Sequence, residues 1–218
     1  MPEIPIYHGL SYLSEMIPLA AKSEERLEQA RHLQGVCWGE EYERMVSGML
    51  YSPLAPELVA GRSRARRLMA DFNAPLEMSL PTTQVTWARD GIVQRLFGAV
   101  GRDVCIEPPL LTVLDCGLVT IGNHVAIGPN VNIITGEHET SIEARRDHRG
   151  SEFTREVTIG DDCWIGAGVT ILAGAHIGEG SSIGAGSVVK GEILPFSVAV
   201  GVPARVVKSM QSSSVSAT

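Results

Sequence analysis

The residues of this chain best suited to chemistry near neutral pH are its histidines and the carboxylates around them. Imidazole is the one unperturbed side chain that changes charge between about pH 5 and 8. His138 stands in Thr135-Gly-Glu-His138-Glu139, and a second charged run, Glu143 to Glu156, follows with Glu152 inside it. So polar a segment cannot be core and reads as a loop, where function concentrates on a rigid scaffold. His138 is therefore a candidate acid–base group, to be weighed against an ordinary surface histidine. A zinc site is not expected. A three-histidine site at a subunit interface would need them to converge with a close pair in one loop, and His124, His138, His148 and His176 lack that spacing. Cys37, Cys105, Cys116 and Cys163 form no C-x-x-C pair and read as structural thiols of a reducing compartment. The basic cluster Arg62, Arg64, Arg66 and Arg67 reads as a solvated helix face, with a subunit-contact or phosphate role as the alternative.

What must position these residues is a repeat. From Ile121 to Leu194 the chain runs in sixes: aliphatics at 121, 127, 133, 159, 165, 171, 177, 183 and 189 open nine hexads, and Gly follows in six of them. Such a period fits neither a helix nor a plain strand and marks an internal repeat. Each hexad supplies one short strand and a corner, and three hexads close a triangular coil. Residues 18 apart then stack on one face, and the leading aliphatics form a buried column that no single coil could make alone. Cys163 falls at an inward fifth position, where a thiol behaves as a small hydrophobe. The spacing predicts a parallel β-helix. It does not set the hand, for which general rules favour right-handed crossovers. Between Ile133 and Ile159 the gap is 26 residues, not a multiple of six, so a loop leaves the solenoid there.

With 218 residues, 20% charged and 44% hydrophobic, the composition is that of a globular chain with a full core. A net charge of −7 disfavours a general nucleic-acid or anionic-membrane binder. No secretory signal or membrane-length apolar run is visible. With the cysteine usage, a cytoplasmic location is the expectation. Four helices are predicted before the repeat: Ser23 to His32, capped by Ser23; Glu40 to Leu50; Pro56 to Phe72; and Thr82 to Leu96. Strand-like hexads begin near Val104. The expected organisation is an N-terminal arm over 1–38, a helical module over 39–102, a β-helix over 103–210 with a protruding loop at 134–157, and a disordered tail over 211–218.

These features together resemble the maltose/galactoside O-acetyltransferases, a family of hexapeptide-repeat acyltransferases. The resemblance is carried by the hexads, Thr135-Gly-Glu-His138, Ile159-Gly-Asp-Asp-Cys-Trp164-Ile-Gly and Gly201-Val-Pro-Ala-Arg205. Upstream it is carried by Tyr42-Glu-Arg-Met-Val-Ser-Gly-Met-Leu-Tyr51, Pro56-Glu-Leu58, Arg64-Ala-Arg66 and Phe72-Asn73. It implies a left-handed β-helix, a homotrimer, and transfer of an acetyl group from acetyl-CoA at a subunit interface, without a metal. It also implies roles. His138 matches the family's general base and Glu152 a glutamate of the same loop. Ala167 and Ala185 line the pantetheine groove, and the amide at Ala167 polarises the thioester carbonyl. Trp164 and Asp115 fall on the substrate side, and Lys190, Arg205 and Lys208 supply charge for the phosphates of CoA.

Two departures concern the acceptor. Ala55 replaces an acidic residue before Pro56, and Glu107-Pro-Pro-Leu-Leu111 runs almost directly into Val113-Leu-Asp115, where the family has about one further coil. The expected function is an acetyl-CoA-dependent O-acetyltransferase acting on a small hydroxylated metabolite. Two alternatives stay open at the level of sequence: CoA-independent proton-transfer chemistry (isomerase, cyclase or lyase) on a less polar metabolite, and a non-catalytic trimeric scaffold. Neither nucleic acid nor membrane is expected as a partner.

Overall fold

The computed structural model describes residues 19–33, 36–75, 82–97, 99–110, 112–114, 117–143 and 152–210. The hexads form a three-faced parallel β-helix. Its first face stacks Ala99–Val100, Val119–Ile121, Val157–Ile159, His176–Ile177 and Glu192–Ile193. The second stacks Cys105–Ile106, Ala126–Ile127, Trp164–Ile165, Ser182–Ile183 and Ser197–Val200, and the third Thr112–Leu114, Asn132–Ile134, Thr170–Ile171 and Val188–Val189. Register follows the repeat: Ile165 lies beside Ile183 and Thr170 beside Val188, while Ala126 pairs with Trp164 across the loop insertion. The isoleucines at 121, 127, 133, 159, 165, 171, 177 and 183 are all buried. Each removes a side chain from water worth roughly 1.5–3 kcal/mol. That column is the core. Cys163 lies inside it, its Sγ donating to the Gly178 carbonyl at 3.2 Å, and burial pushes the thiol's pKa up.

The corners turn on single residues in the left-handed region. Between the first and second faces these are Asp103, His124, Asp162, Gly180 and Phe196, at φ of 54 to 66°. Between the second and third faces they are Asn130, Gly168 and Gly186, at φ of 62 to 69°, and the chain enters these corners through Gly128, Gly166 and Gly184. A Cβ on Gly166 would lie 2.6 Å from the Ala185 amide nitrogen of the next coil. Coil stacking there leaves no room for a side chain.

The helical module closes the N-terminal end of the solenoid. Helix α1 (Glu24–Arg31) is capped by Ser23, α2 spans Glu40–Val46, α3 Pro56–Asn73 and α4 Thr82–Leu96. Leu68 and Phe72 of α3, with Val93, Leu96 and Phe97, join the same core as Ile106 and Leu110. Asn73 fixes this lid: its Nδ2 donates to the Leu110 carbonyl at 2.8 Å and its Oδ1 accepts from the Leu110 amide at 2.9 Å. Helix α2 ends at Val46, short of the expected Leu50, because the chain turns at Gly48 (φ 76°) and Met49 N bonds back to the Arg44 carbonyl. The first strand begins at Ala99, a few residues before the expected start.

Segment 19–33 grips that turn. Leu19 N donates to the Gly48 carbonyl at 2.9 Å, Ser23 N to Ser47 Oγ at 3.0 Å and Arg26 Nη1 to the Ser47 carbonyl at 3.3 Å. Lys22 bridges Glu40 and Glu43, both at 2.7 Å. Residues 1–18, the tail 211–218, Cys116, Asp115 and His148 lie outside the described residues.

Candidate active site

The loop predicted from the frame break leaves the third face after Ile134 and returns to the first face at Val157. Its base is a short antiparallel hairpin, Gly136–Glu137 against Phe153–Thr154. Two long-range contacts anchor the hairpin to the helical module. Thr154 Oγ1 donates to the Met45 carbonyl at 2.5 Å, and Tyr51 and Glu152 exchange both backbone hydrogen bonds, at 2.9 and 3.2 Å. A bidentate pair stiffens it further: Arg155 donates from Nε and Nη2 to Glu137 at 2.8 and 2.7 Å. Fork-on-carboxylate pairing fixes geometry as well as supplying energy.

His138 follows directly after this hairpin strand, with its side chain 51% exposed. Its Nε2 lies 3.6 Å from Glu152 Oε1, so the hairpin brings together two residues 14 positions apart in the sequence. Glu152 Oε2 accepts from the Tyr51 hydroxyl at 2.9 Å. Tyr51 is fully buried, and nothing in its own sequence neighbourhood pointed to this contact, which spans 101 residues. Lys190 stands at the same corner, immediately after Val188–Val189 and two coils further on. The arrangement offers one half-exposed imidazole with an acceptor held behind it, which is the layout of a general base.

The other predicted residues among those described gather along a different corner. Ala167 and Ala185 follow Trp164–Ile165 and Ser182–Ile183, on the turn from second face to third, and both are exposed. Adjacent coils lock there through Gly186 N to the Ala167 carbonyl at 2.8 Å. Trp164, 55% exposed, lies on the second face just before this corner, between Ala126 and Ser182 in register. At the top of the same corner the chain turns back into the strand Arg205–Ser209, antiparallel to Ser197–Val200, with Arg205 and Lys208 exposed. The two clusters thus occupy opposite edges of the third face, and one chain does not bring them together. His124 belongs to neither cluster. It sits at the remaining corner with Asp162 Oδ1 3.2 Å from Nδ1 and Asp103 Oδ2 3.6 Å from Nε2. Among the described residues no group of three or more His, Cys, Asp or Glu side chains is placed to hold a metal ion. No described helix is long and apolar enough to cross a membrane.

The comparisons with known proteins converge on one group. Residues 44–101 match the maltose acetyltransferase hexapeptide capping motif, and residues 156–191 match the bacterial transferase hexapeptide model of six repeats. The chain is 33% identical to the galactoside O-acetyltransferase of Escherichia coli (strain K12) over 189 residues, 77% of this chain and 88% of that protein. It belongs to the maltose/galactoside O-acetyltransferase family. Two solved members agree with this. A maltose O-acetyltransferase from Clostridium difficile 630 is 35% identical, with a TM-score of 0.67 over 78% of this chain and 97% of that one. A galactoside acetyltransferase in complex with coenzyme A is 32% identical, with a TM-score of 0.66 over 80% and 92%. Membership makes the chain an acyltransferase with acetyl-CoA as co-substrate, and its β-helix left-handed. The general preference for right-handed crossovers does not govern this short-cornered repeat.

Proposed function

We propose that this chain is an O-acetyltransferase that moves the acetyl group of acetyl-CoA to a hydroxyl of a small metabolite, with His138 as general base. The observation that carries the reading is the pairing of His138 with Glu152 at one edge of the third face, opposite an edge built from exposed small residues. In the reaction His138 takes the acceptor's hydroxyl proton as the oxygen attacks the thioester carbonyl. The C–S bond then breaks and CoA leaves as its thiol, taking the proton back from the imidazolium. The backbone amide of Ala167 is the donor for the developing oxyanion, since a backbone N–H costs no reorganisation when charge forms. Ala185 and Trp164 flank the pantetheine, and Arg205 and Lys208 meet the phosphates from the groove edge, with Lys190 adding charge from the base edge of the neighbouring copy.

Because base and donor groove lie on opposite edges of one face, the complete site takes the base edge of one copy and the groove edge of the next. A closed ring of three satisfies that heterologous contact. The helical lid (α2, α3 and α4) and the segment before it belong to the base-side half of this arrangement.

The acceptor side is the rebuilt part. One coil, residues 99–114, stands between the helical lid and the coil from which the His138 loop emerges. Ala55 contributes only a methyl, packed on the Tyr42, Tyr51 and Leu58 cluster. A site that selects polyols does so through buried polar partners, each discriminating by orders of magnitude. With a carboxylate replaced by a methyl, the acceptor is larger and less polar than a simple sugar, and Asp115 is its remaining polar anchor. The test is free-thiol release from acetyl-CoA across an acceptor panel. Less polar alcohols should outrun glucose, maltose and galactosides. Sugar turnover at rates typical of a dedicated enzyme overturns the acceptor class, and no thiol release with any acceptor overturns acetyl transfer.

A further inference from the structure

We infer that Tyr51 is a positioning residue for the acetyl transfer, acting on His138 through Glu152; this rests on the reading of His138 as the base. A carboxylate on a loop has free side-chain torsions, and by itself would present either oxygen, or neither, to its neighbour. Here one oxygen is committed. Tyr51 Oη donates to Glu152 Oε2 at 2.9 Å, which leaves Oε1 facing His138 Nε2 at 3.6 Å.

The donor is itself immobile. Tyr51 is 2% exposed and packs in a cluster with Ala30, Tyr42, Met45, Val46 and Leu58. The paired backbone hydrogen bonds between residues 51 and 152 hold the ring's starting point to the loop it braces. The turn leading into it, Ser47 to Met49, is gripped in turn by Leu19, Ser23 and Arg26. A phenol so held fixes the carboxylate in the orientation that stabilises the imidazolium formed when His138 accepts a proton. A base is only as effective as its alignment with the proton it removes. The tyrosine contributes at the transition state and contacts neither acetyl-CoA nor the acceptor.

Tyr51→Phe removes the hydroxyl and leaves the packed ring. Turnover is read as thiol released from acetyl-CoA, with the best alcohol of the panel and, separately, with water as acceptor. Binding of acetyl-CoA is followed by calorimetry and folding by the melting temperature. The expected result is a loss of about tenfold in kcat, with KM for acetyl-CoA within about twofold. In a His138→Ala background the same change should cause no further loss, because a brace has nothing left to align. A kcat within twofold of the parent overturns the proposal. So does an equal loss in both backgrounds, which would mean that Tyr51 supports the fold at large. If His138→Ala alone keeps parental activity, the base assignment fails first and takes this inference with it, and no Tyr51 variant is needed to see that.

Discussion

The two edges of the third face are made in opposite ways. The groove edge is made by repetition: Ala167 and Ala185 sit 18 residues apart, held by coil-to-coil backbone bonds that recur at every turn. No one side chain is indispensable to its shape, only the absence of large ones. The base edge is made by contacts that occur once. Tyr51 to Glu152 spans 101 residues and Thr154 to Met45 spans 109, and no neighbouring coil duplicates either. A repeat gives a surface on which a long ligand can lie, whereas aligning one proton acceptor takes unique, long-range braces. Substitutions should therefore part cleanly: at the base edge they alter the rate, and at the groove edge they alter binding.

The largest effect tests the base edge. His138→Ala should lower kcat by roughly 10² to 10⁴, the usual worth of a positioned acid–base group, with acetyl-CoA affinity close to the parent's. His176→Ala, on the outer side of the first face, should leave kcat within about twofold. Equal losses in the two variants, measured by thiol release, would erase the distinction between the edges.

How far each edge could be read from sequence follows from the same contrast. The column of isoleucines was legible because every coil repeats the instruction, and so were the bounds of α4 and the start of α3 at Pro56. The loop was legible as a failure of the period after Ile133. Its interior was not. Nothing local in Glu152 points to His138, and nothing in Tyr51 points to Glu152. Their meeting depends on the hairpin docking against a helical module a hundred residues earlier. The early end of α2 was hidden for a similar reason. Its sequence is helical enough to continue, and the stop comes from Gly48 turning left-handed where Leu19 joins the chain at Met49.

The next effect in size tests the groove edge. Ala185→Trp puts an indole onto a corner where small exposed residues stack, while Ile183 and Val189 keep their places in the column. Acetyl-CoA binding by calorimetry should weaken by roughly tenfold or more, equivalent to about 1.4 kcal/mol for each factor of ten. The melting temperature should stay within about 2 °C of the parent's. A variant that melts early would show that the corner is part of the core rather than a surface, and unchanged binding would move CoA off this edge.

The smallest effect lies at the corner that joins neither edge, and it separates fold from function by pH. Asp161 ties successive coils together: its Oδ1 accepts from the Asn123 amide at 2.8 Å and its Oδ2 from Asn123 Nδ2 at 3.1 Å. These two hydrogen bonds, the backbone one first, hold its carboxyl below the ordinary range, with His124 and Arg102 adding positive charge nearby. A carboxylate whose folded pKa lies below its unfolded one stabilises the fold fully above the unfolded value, about 3.9 for aspartate. That contribution fades as pH falls through the folded value. Asp161→Asn removes it at every pH, so the melting temperature of the parent should exceed that of the variant by a constant amount, about 2 °C, between pH 5 and 8. Below about pH 4 the gap should close. Thiol release at neutral pH should be unchanged, because this corner faces neither His138 nor Ala167. A gap that widens in acid would contradict the direction of the shift. A fall in kcat at neutral pH would show that strain at one corner reaches the base edge, and that the edges are less independent than their construction implies.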